Sequence, residues 1–395
     1  MTLKNNLRHS NNKHIFYLAA ALLSLAIIFG GNDSDDKMSC RIMYDAGSSG
    51  TRLFVYAKQN NTWLEHAGPK VSALADPVRE IRGKQWTDAN AVVSEVVNSL
   101  EQIKQAGPDD DKGRPAWPAF DWSAQCNLVS ASVYATAGMR IAEQHAPDRS
   151  KQLWHKLKQG LAAQLPKGVA ISTRTLTGFE EGLYAWLSVH SDRDKSDFGI
   201  VEMGGASSQI TFPCHTCPLA RTVMLDGESY KLFSYSFLGL GGDEAAKVFG
   251  IKPACEYAAG KANPQWTQQA CANSIRLKTE QGLRDPYNIG EQGQGRYQAI
   301  PLHKADADNW VLTGAFYFMR DTDIDTCCKH GGKCFNAPTS CFRAVYFRKY
   351  LGVLGIKSYT TAESSWTLGA VVCEENNCLR DSGRLKCRWL GGDCL

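Results

Sequence analysis

Tyr44-Asp45-Ala46-Gly47-Ser48-Ser49-Gly50-Thr51-Arg52 and Glu202-Met203-Gly204-Gly205-Ala206-Ser207-Ser208-Gln209 are two versions of one pattern. An apolar run leads into each (Ile42-Met43-Tyr44; Phe198-Gly199-Ile200-Val201). An acid, glycines and hydroxyls follow, then a second β-prone run (Leu53-Phe54-Val55-Tyr56; Ile210-Thr211-Phe212). The pattern predicts strand, tight glycine turn, strand. Glycine lets the backbone take positive φ and approach a ligand closely, and successive N–H groups then form a concave anion site. The acid at the strand end can face a metal ion held by the same anion. One copy would be an ordinary hairpin. Two copies, each led by an acid, point to two loops that clamp one phosphate chain.

Strands alternate with helices around these hairpins. Apolar Ala89, Val92, Val93, Val96, Val97, Leu100 and Ile103 recur at helical spacing, which predicts a helix over 88–105 capped by Thr87 or Asp88. Residues 107–121 read as a loop. Residues 128–134 read as a strand that ends in Ala135-Thr136-Ala137-Gly138-Met139-Arg140. Asp148 is expected to cap a helix carrying Leu153, Trp154, Leu157, Leu161 and Leu165. A strand over 169–176 delivers Thr177-Gly178-Phe179-Glu180-Glu181-Gly182 to a helix start. Further on, the reading is a strand over 232–237, a glycine-rich helix opening at 239–243, and helices around 265–277, 343–354 and 367–373. Such alternation implies an α/β fold, and the paired hairpins imply two similar domains with a cleft between them. At 395 residues and 43% hydrophobic content, the chain can bury both cores.

A net charge of only +4 gives no general nucleic-acid footprint. Lys4, Arg8 and Lys13 precede the apolar run Ile15 to Phe29, and Asp33, Asp35 and Asp36 follow it. That order argues for export with the N-terminus inside, to a secreted, periplasmic or secretory-lumen destination. The run is short for a comfortable membrane span, so a signal peptide is favoured over a retained anchor, with attachment through this segment as the alternative. Fourteen cysteines fit an oxidising compartment and a disulfide framework. Cys214-His215-Thr216-Cys217 invites a metal reading, but there is no second C-x-x-C, and Cys327, Cys328, Cys334 and Cys341 are spaced as disulfide formers. Disulfides are therefore expected, with Cys255–Cys271 and Cys387–Cys394 as candidate local pairs.

Five segments taken in order resemble the apyrase signature segments of the nucleoside triphosphate diphosphohydrolase, or ecto-apyrase, family. They are 45–52, 135–140, 177–182, 202–209 and Ser365-Trp366-Thr367-Leu368-Gly369-Ala370. Residues 235–241 and 314–318 also resemble family segments. The resemblance implies the actin/Hsp70/sugar-kinase architecture: two RNase-H-like domains with the active site in the cleft between them. Residues 1–39 would be leader or anchor plus linker, 40–177 together with 367–395 the first domain, and 178–366 the second. The implied activity is divalent-metal-dependent hydrolysis of nucleoside 5′-tri- and diphosphates to the monophosphate, with no obligate protein partner.

Residue by residue, Asp45 and Glu202 would hold the waters of Mg²⁺ or Ca²⁺, with Trp366 packed beside that shell; Mg²⁺ suits partly hydrated sites beside phosphate. Ser48, Ser49, Gly50 and Thr51, then Thr136, then Gly204, Gly205 and Ala206 would contact the phosphates. Arg52 and Arg140 could neutralise them, while a surface salt bridge is an equal reading of each arginine. Glu181 matches the family's catalytic glutamate, the base that orients and deprotonates water for in-line attack. Neighbouring helical positions diverge by about 100°, so Glu180 should not share the cleft with Glu181. A place near a helix N-terminus favours an ionised carboxylate there. Ser207 and Gln209 would position the attacking water, and Phe318 falls where an aromatic stacks on the base, a sequence-tolerant contact.

The chain departs from the family pattern at three places. Glu202 stands where aspartate is usual, His190 where many members carry asparagine, and Gly242 where animal members often carry arginine beside the base. Base preference therefore stays open. The alternatives to an apyrase are a nucleoside-diphosphatase or exopolyphosphatase of narrower range, and a non-hydrolytic actin-like nucleotide-binding module. The Glu181 segment argues against the last.

Overall fold

The chain opens with an antiparallel meander. Its strands are β1 (Met38–Gly47), β2 (Gly50–Gln59) and β3 (Thr62–Val71). Helix α1 (Ala89–Gln102) and the short α2 (Trp122–Gln125) lead to β4 (Cys126–Ala135), parallel to β1. Helices α3 (Ala137–His145) and α4 (Pro147–Gln164) precede β5 (Ala170–Thr175), parallel to β4. The first sheet thus has the order β3-β2-β1-β4-β5. Helix α5 (Gly178–His190) leaves it.

A second sheet repeats the plan. Strands β6 (Phe198–Met203), β7 (Ser207–Pro213), β8 (Arg221–Leu225) and β9 (Glu228–Leu238) come first, with β7 antiparallel to both β6 and β9. Helices α6 (Gly242–Phe249) and α7 (Gln268–Ser274) follow, then a small sheet of β10 (Lys278–Thr279), β11 (Gly282–Arg284) and β12 (Tyr297–Gln298). Strand β13 (Asn309–Gly314) returns parallel to β6. After α8 (Ala315–Met319), α9 (Ile324–Cys328) and α10 (Ser340–Leu354), β14 (Thr360–Thr361) pairs parallel with β13. The order is β14-β13-β6-β7-β9-β8, which is the first sheet's plan with β8 added at one edge. Helix α11 (Trp366–Asn376) follows. This is a computed structural model, and it describes residues 37–79, 87–110, 112–193, 196–257, 261, 263–279, 282–284, 286–287, 297–298, 300–332, 334 and 339–380.

The period-two alternation of each strand decides what it faces. In β1, Ile42 and Tyr44 pack with Val92, Val96 and Leu100 of α1 and Leu157 of α4, while Met43 faces the other way. That second face joins Phe54 and Tyr56 to Leu183 and Trp186 of α5, Ala370 of α11, and Phe198, Ile200 and Val311 of the second sheet. The two sheets therefore share one inner core, filled by α5 and α11. The remaining face of the second sheet (Val201, Ile210, Tyr235, Phe237) packs on Phe342, Tyr346 and Tyr350 of α10. Helices α5 and α11 approach so closely that a Cβ on Gly369 would overlap the Tyr184 carbonyl and lie 2.8 Å from Ser188 N. No other residue fits that crossing.

Several local expectations hold. Asp88 caps α1, its Oδ1 accepting from Asn90 N at 2.9 Å. Others need correction. Asp148 does not cap α4; Ala146 occupies that position and Pro147 starts the helix, its fixed φ suited to the first helical residue. The Cys214–Cys217 and Cys255–Cys271 pairs are disulfides. Cys40–Cys126 ties the start of β1 to the start of β4, and Cys327–Cys334, Cys328–Cys341 and Cys373–Cys378 complete the pairing, so no described cysteine is free. The proposed Cys387–Cys394 pair and the apolar run 15–29 lie outside the described residues. Among the described residues no helix is long and apolar enough to cross a membrane.

Candidate active site

Strand register brings the chemistry together. Residues directly opposite on neighbouring strands share a face. Across the second sheet, Thr313 (β13), Glu202 (β6), Gln209 (β7) and Ser236 (β9) form one such row. Across the first, Lys70 (β3), Arg52 (β2), Asp45 (β1), Tyr134 (β4) and Arg174 (β5) form another. Each row has its hairpin acid near the middle, and both lie on the inner faces. The two sequence echoes are thus matched to the residue: Asp45 sits opposite Arg52, and Glu202 opposite Gln209.

The first turn of α5 divides two acids between these rows. Thr177 and Glu180 make a capping box, Thr177 Oγ1 accepting from Glu180 N and Glu180 Oε2 accepting from Thr177 N at 2.8 Å. Arg174 of the first row donates to Glu180 Oε1 at 2.7 Å. Glu180 is therefore a structural anchor on the first sheet. Glu181, one position on, turns to the second. Its Oε2 accepts from Arg140 Nη2 at 2.6 Å and from Gln209 Nε2 at 2.9 Å, with Ser207 Oγ at 3.5 Å. Arg140 Nη2 also reaches Ser207 Oγ at 3.1 Å and Ser236 Oγ at 3.3 Å. The Arg140–Glu181 pair is mostly buried, which replaces the surface-salt-bridge reading of Arg140. Gln209 Nε2 lies 2.6 Å from Ser207 Oγ and 2.9 Å from Ser236 Oγ. Since a carboxylate only accepts, the amide nitrogen must be the atom facing Glu181, and Gln209 Oε1 points elsewhere.

Three carboxylates, Asp45, Glu181 and Glu202, repel one another here. The Asp45 carboxyl is pushed from 3.8 up to about 7, first by burial and then by the Glu181 charge; Arg52, the Trp366 indole bonded to it, and Lys70 act in the opposite sense. Glu202 is pushed well above the carboxylate range, first by burial and then by Glu181 and Asp45, against the pull of Arg140. Both keep a partial window to solvent. Five buried side-chain polar atoms of this site lack a hydrogen-bond partner among the described residues: Thr51 Oγ1, Arg140 Nε, Glu202 Oε2, Gln209 Oε1 and Thr313 Oγ1. Four are oxygens, the donor set of a hard divalent cation. The three carboxylates do not bring one oxygen each within 4.8 Å of one another. The only three His, Cys, Asp or Glu donor atoms within 4.8 Å of one another among the described residues are those of Cys327, Cys328 and Cys341, all in disulfides. The site fits a hydrated cation rather than a dehydrated one.

This electrostatic strain has a measurable sign. A carboxyl whose folded pKa exceeds its unfolded value binds a proton more tightly when folded, so stability falls as pH rises through the window between the two. For Asp45 that window runs from about 4 to about 7. Without divalent cation, the protein should melt at a higher temperature at about pH 5 than at about pH 8, and Asp45→Asn should flatten the difference. An unchanged slope in the variant would remove Asp45 from this account.

The two loops meet. A Cβ on Gly205 would lie against Ser48 Oγ and 2.8 Å from Asp243 Oδ2, and one on Gly138 would lie 2.8 Å from Ser48 Cα. The Ser48–Ser49 turn thus sits between the second loop and the start of α3, where Thr136 is the N-cap and its N donates to Ala46 O at 3.2 Å. Lys70 Nζ donates to Ser49 Oγ at 3.3 Å. The second loop is held from behind: Gly242 N donates to Gly204 O, and Asp243 N and Glu244 N to Gly205 O. Asp243 in turn pairs with the buried Arg343, whose guanidinium is pushed down to about 10 by burial. Trp366 is the first residue of α11. Phe318 is 52% exposed on α8, edge-on to Tyr317, on the helix that leaves β13 beside Glu202. His190 lies apart from this centre, tilted against Trp186 and edge-on to Tyr230.

Sequence reading missed Thr313, Ser236, Asp243 and Arg343. The first two belong to Glu202's row, which only the pairing of β13 and β9 with their neighbours reveals. Arg343 carries no local signal.

Residues 121–300 match the GDA1/CD39 (nucleoside phosphatase) family. The chain is 28% identical to a probable apyrase 6 of Arabidopsis thaliana over 267 residues, which cover 61% of this chain and 42% of that protein. It is 29% identical to the Golgi apyrase of Saccharomyces cerevisiae over 242 residues, 53% of this chain and 37% of that one. The match therefore spans about two-fifths of the length of these relatives. Among solved structures, nucleoside triphosphate hydrolases from Neospora caninum superpose with a TM-score of 0.53 at 14% identity, over 85% of this chain and 92% of theirs. That likeness carries the fold, an actin-like α/β architecture with two sheets. Over residues 121–300 the chain is similar to the GDA1/CD39 nucleoside phosphatases, the group its five signature segments resemble.

Proposed function

We propose that this chain is an apyrase-type hydrolase that removes the terminal phosphate of nucleoside 5′-tri- and diphosphates. The observation that carries the reading is the Glu181 carboxylate, whose Oε2 gathers Arg140, Gln209 and Ser207 while its charge reaches Asp45 and Glu202. In this reading Gln209 and Ser207 orient a water, whose oxygen attacks the terminal phosphorus. Its proton passes to Glu181, and the bridging P–O bond breaks to free the shorter nucleotide. Arg140 and Arg52, with the donors of the Ser48–Thr51 and Gly204–Ala206 loops, hold the phosphate oxygens. Asp45 and Glu202, with Trp366 beside Asp45, would hold a hydrated Mg²⁺ or Ca²⁺. When bound, that ion would neutralise charge on the transferring phosphate. Phe318 would stack on the base.

The same reading assigns residues 40–177 with 367–395 to one lobe and 178–366 to the other, with α5 at their junction. Disulfide pairing of every described cysteine supports an oxidising compartment, and export through the N-terminal segment is proposed with it. The test is phosphate release from ATP, ADP, GDP and polyphosphate. Release from both ATP and ADP supports the apyrase reading. Release from diphosphates or polyphosphate alone indicates the narrower enzymes, and tight ATP binding without release rejects hydrolysis.

A further inference from the structure

We infer that Thr313 is a positioning residue of the cation site, its hydroxyl part of the oxygen shell that fixes the Glu202 carboxylate on a hydrated divalent ion. This rests on the proposal that the site takes such an ion. Thr313 is 1% exposed, yet its Oγ1 has no partner. It stands directly opposite Glu202, whose Oε2 is also unpartnered, and on the far side of Glu202 the next residue in the row, Gln209, leaves Oε1 unpartnered. Three residues side by side on neighbouring strands thus each carry an orphan oxygen.

Packing alone does not explain a threonine here. Trp310, Val311 and Leu312 precede it in β13, and valine would fill the same volume without burying an unmet hydroxyl. The next residue is also fitted to Glu202. Gly314 takes φ +64, and a Cβ there would lie 2.5 Å from Met203 O and 2.7 Å from Glu202 Oε1. The missing side chain at 314 thus leaves room for both the β6 backbone and the Glu202 carboxylate, next to the Thr313 hydroxyl. Groups that orient a metal's ligands typically change its affinity about 10- to 100-fold when removed.

The test is calorimetric titration of the full chain with Mg²⁺ and with Ca²⁺, without nucleotide, together with thermal melts in the absence of cation. Thr313→Val should raise the Kd for the preferred ion about tenfold, while its cation-free Tm equals or exceeds wild type because a buried unsatisfied hydroxyl is gone. Thr313→Ser, which keeps the hydroxyl, should bind like wild type. Unchanged affinity in Thr313→Val would overturn the inference. So would weak binding in Thr313→Ser, or a lowered cation-free Tm in Thr313→Val, since either makes packing the cause. A wild-type chain that binds neither ion would instead reject the cation site itself.

Discussion

Glu181→Gln should lower kcat for phosphate release about 10³-fold, the scale of a general base lost, while leaving nucleotide affinity intact or improved. Glutamine keeps the shape and can still accept from Arg140, so the pocket is preserved. What disappears is the proton acceptor. The variant also removes the negative charge now paired with Arg140, leaving that guanidinium to the substrate's phosphates. A fall in kcat without a rise in KM is the signature of an interaction made in the transition state. Because an uncompensated buried charge is costly, a melt of the variant with nucleotide bound is the companion measurement: ligand should restore the lost stability. A variant that turns over near the wild-type rate would displace Glu181 as base.

Removing the divalent ion should be as severe. Chelation is expected to cut phosphate release at least about 10³-fold, with recovery on adding Mg²⁺ or Ca²⁺ back. The physical reason is visible in the protein alone. Asp45 and Glu202 are both pushed toward their neutral forms by burial and by Glu181. A cation offsets that repulsion and restores their charge, so binding should release protons and strengthen as pH rises. Glu202→Gln should weaken the ion while leaving the fold, because it relieves repulsion rather than breaking a pair. Release that persists undiminished in chelator would discard the Asp45–Glu202 site.

The glycine hairpins were legible because glycine, acid and hydroxyl at fixed spacing can be read without knowing what lies across the strand. Their equivalence in the fold follows from that echo. The parting of Glu180 and Glu181 was also legible, since helical angle alone sends them apart, and the first sheet takes one while the second takes the other; the preference for Glu181 came from the family resemblance. Strand β3 was not. Its Glu65, His66, Gly68 and Pro69 break apolar alternation, and pairing with β2 rather than propensity makes it a strand. Helix α3 was hidden because the Thr136–Arg140 segment reads as a phosphate loop, whereas its residues also start a helix. Thr313 and Ser236 were invisible for a further reason: their significance lies in register with residues far away in sequence.

That register has a consequence for how this protein can fail. Side chains along a strand alternate between faces, so a slip of one residue in β7 would turn Gln209 and Ser207 away from Glu181 and bring Ser208 and Ile210 inward. Chemistry and strand alignment are one variable here. A misaligned chain would keep its secondary structure and its disulfides and yet be catalytically silent. Activity is therefore the sharpest assay of correct refolding this molecule offers, sharper than any spectrum that counts strands without asking where they meet.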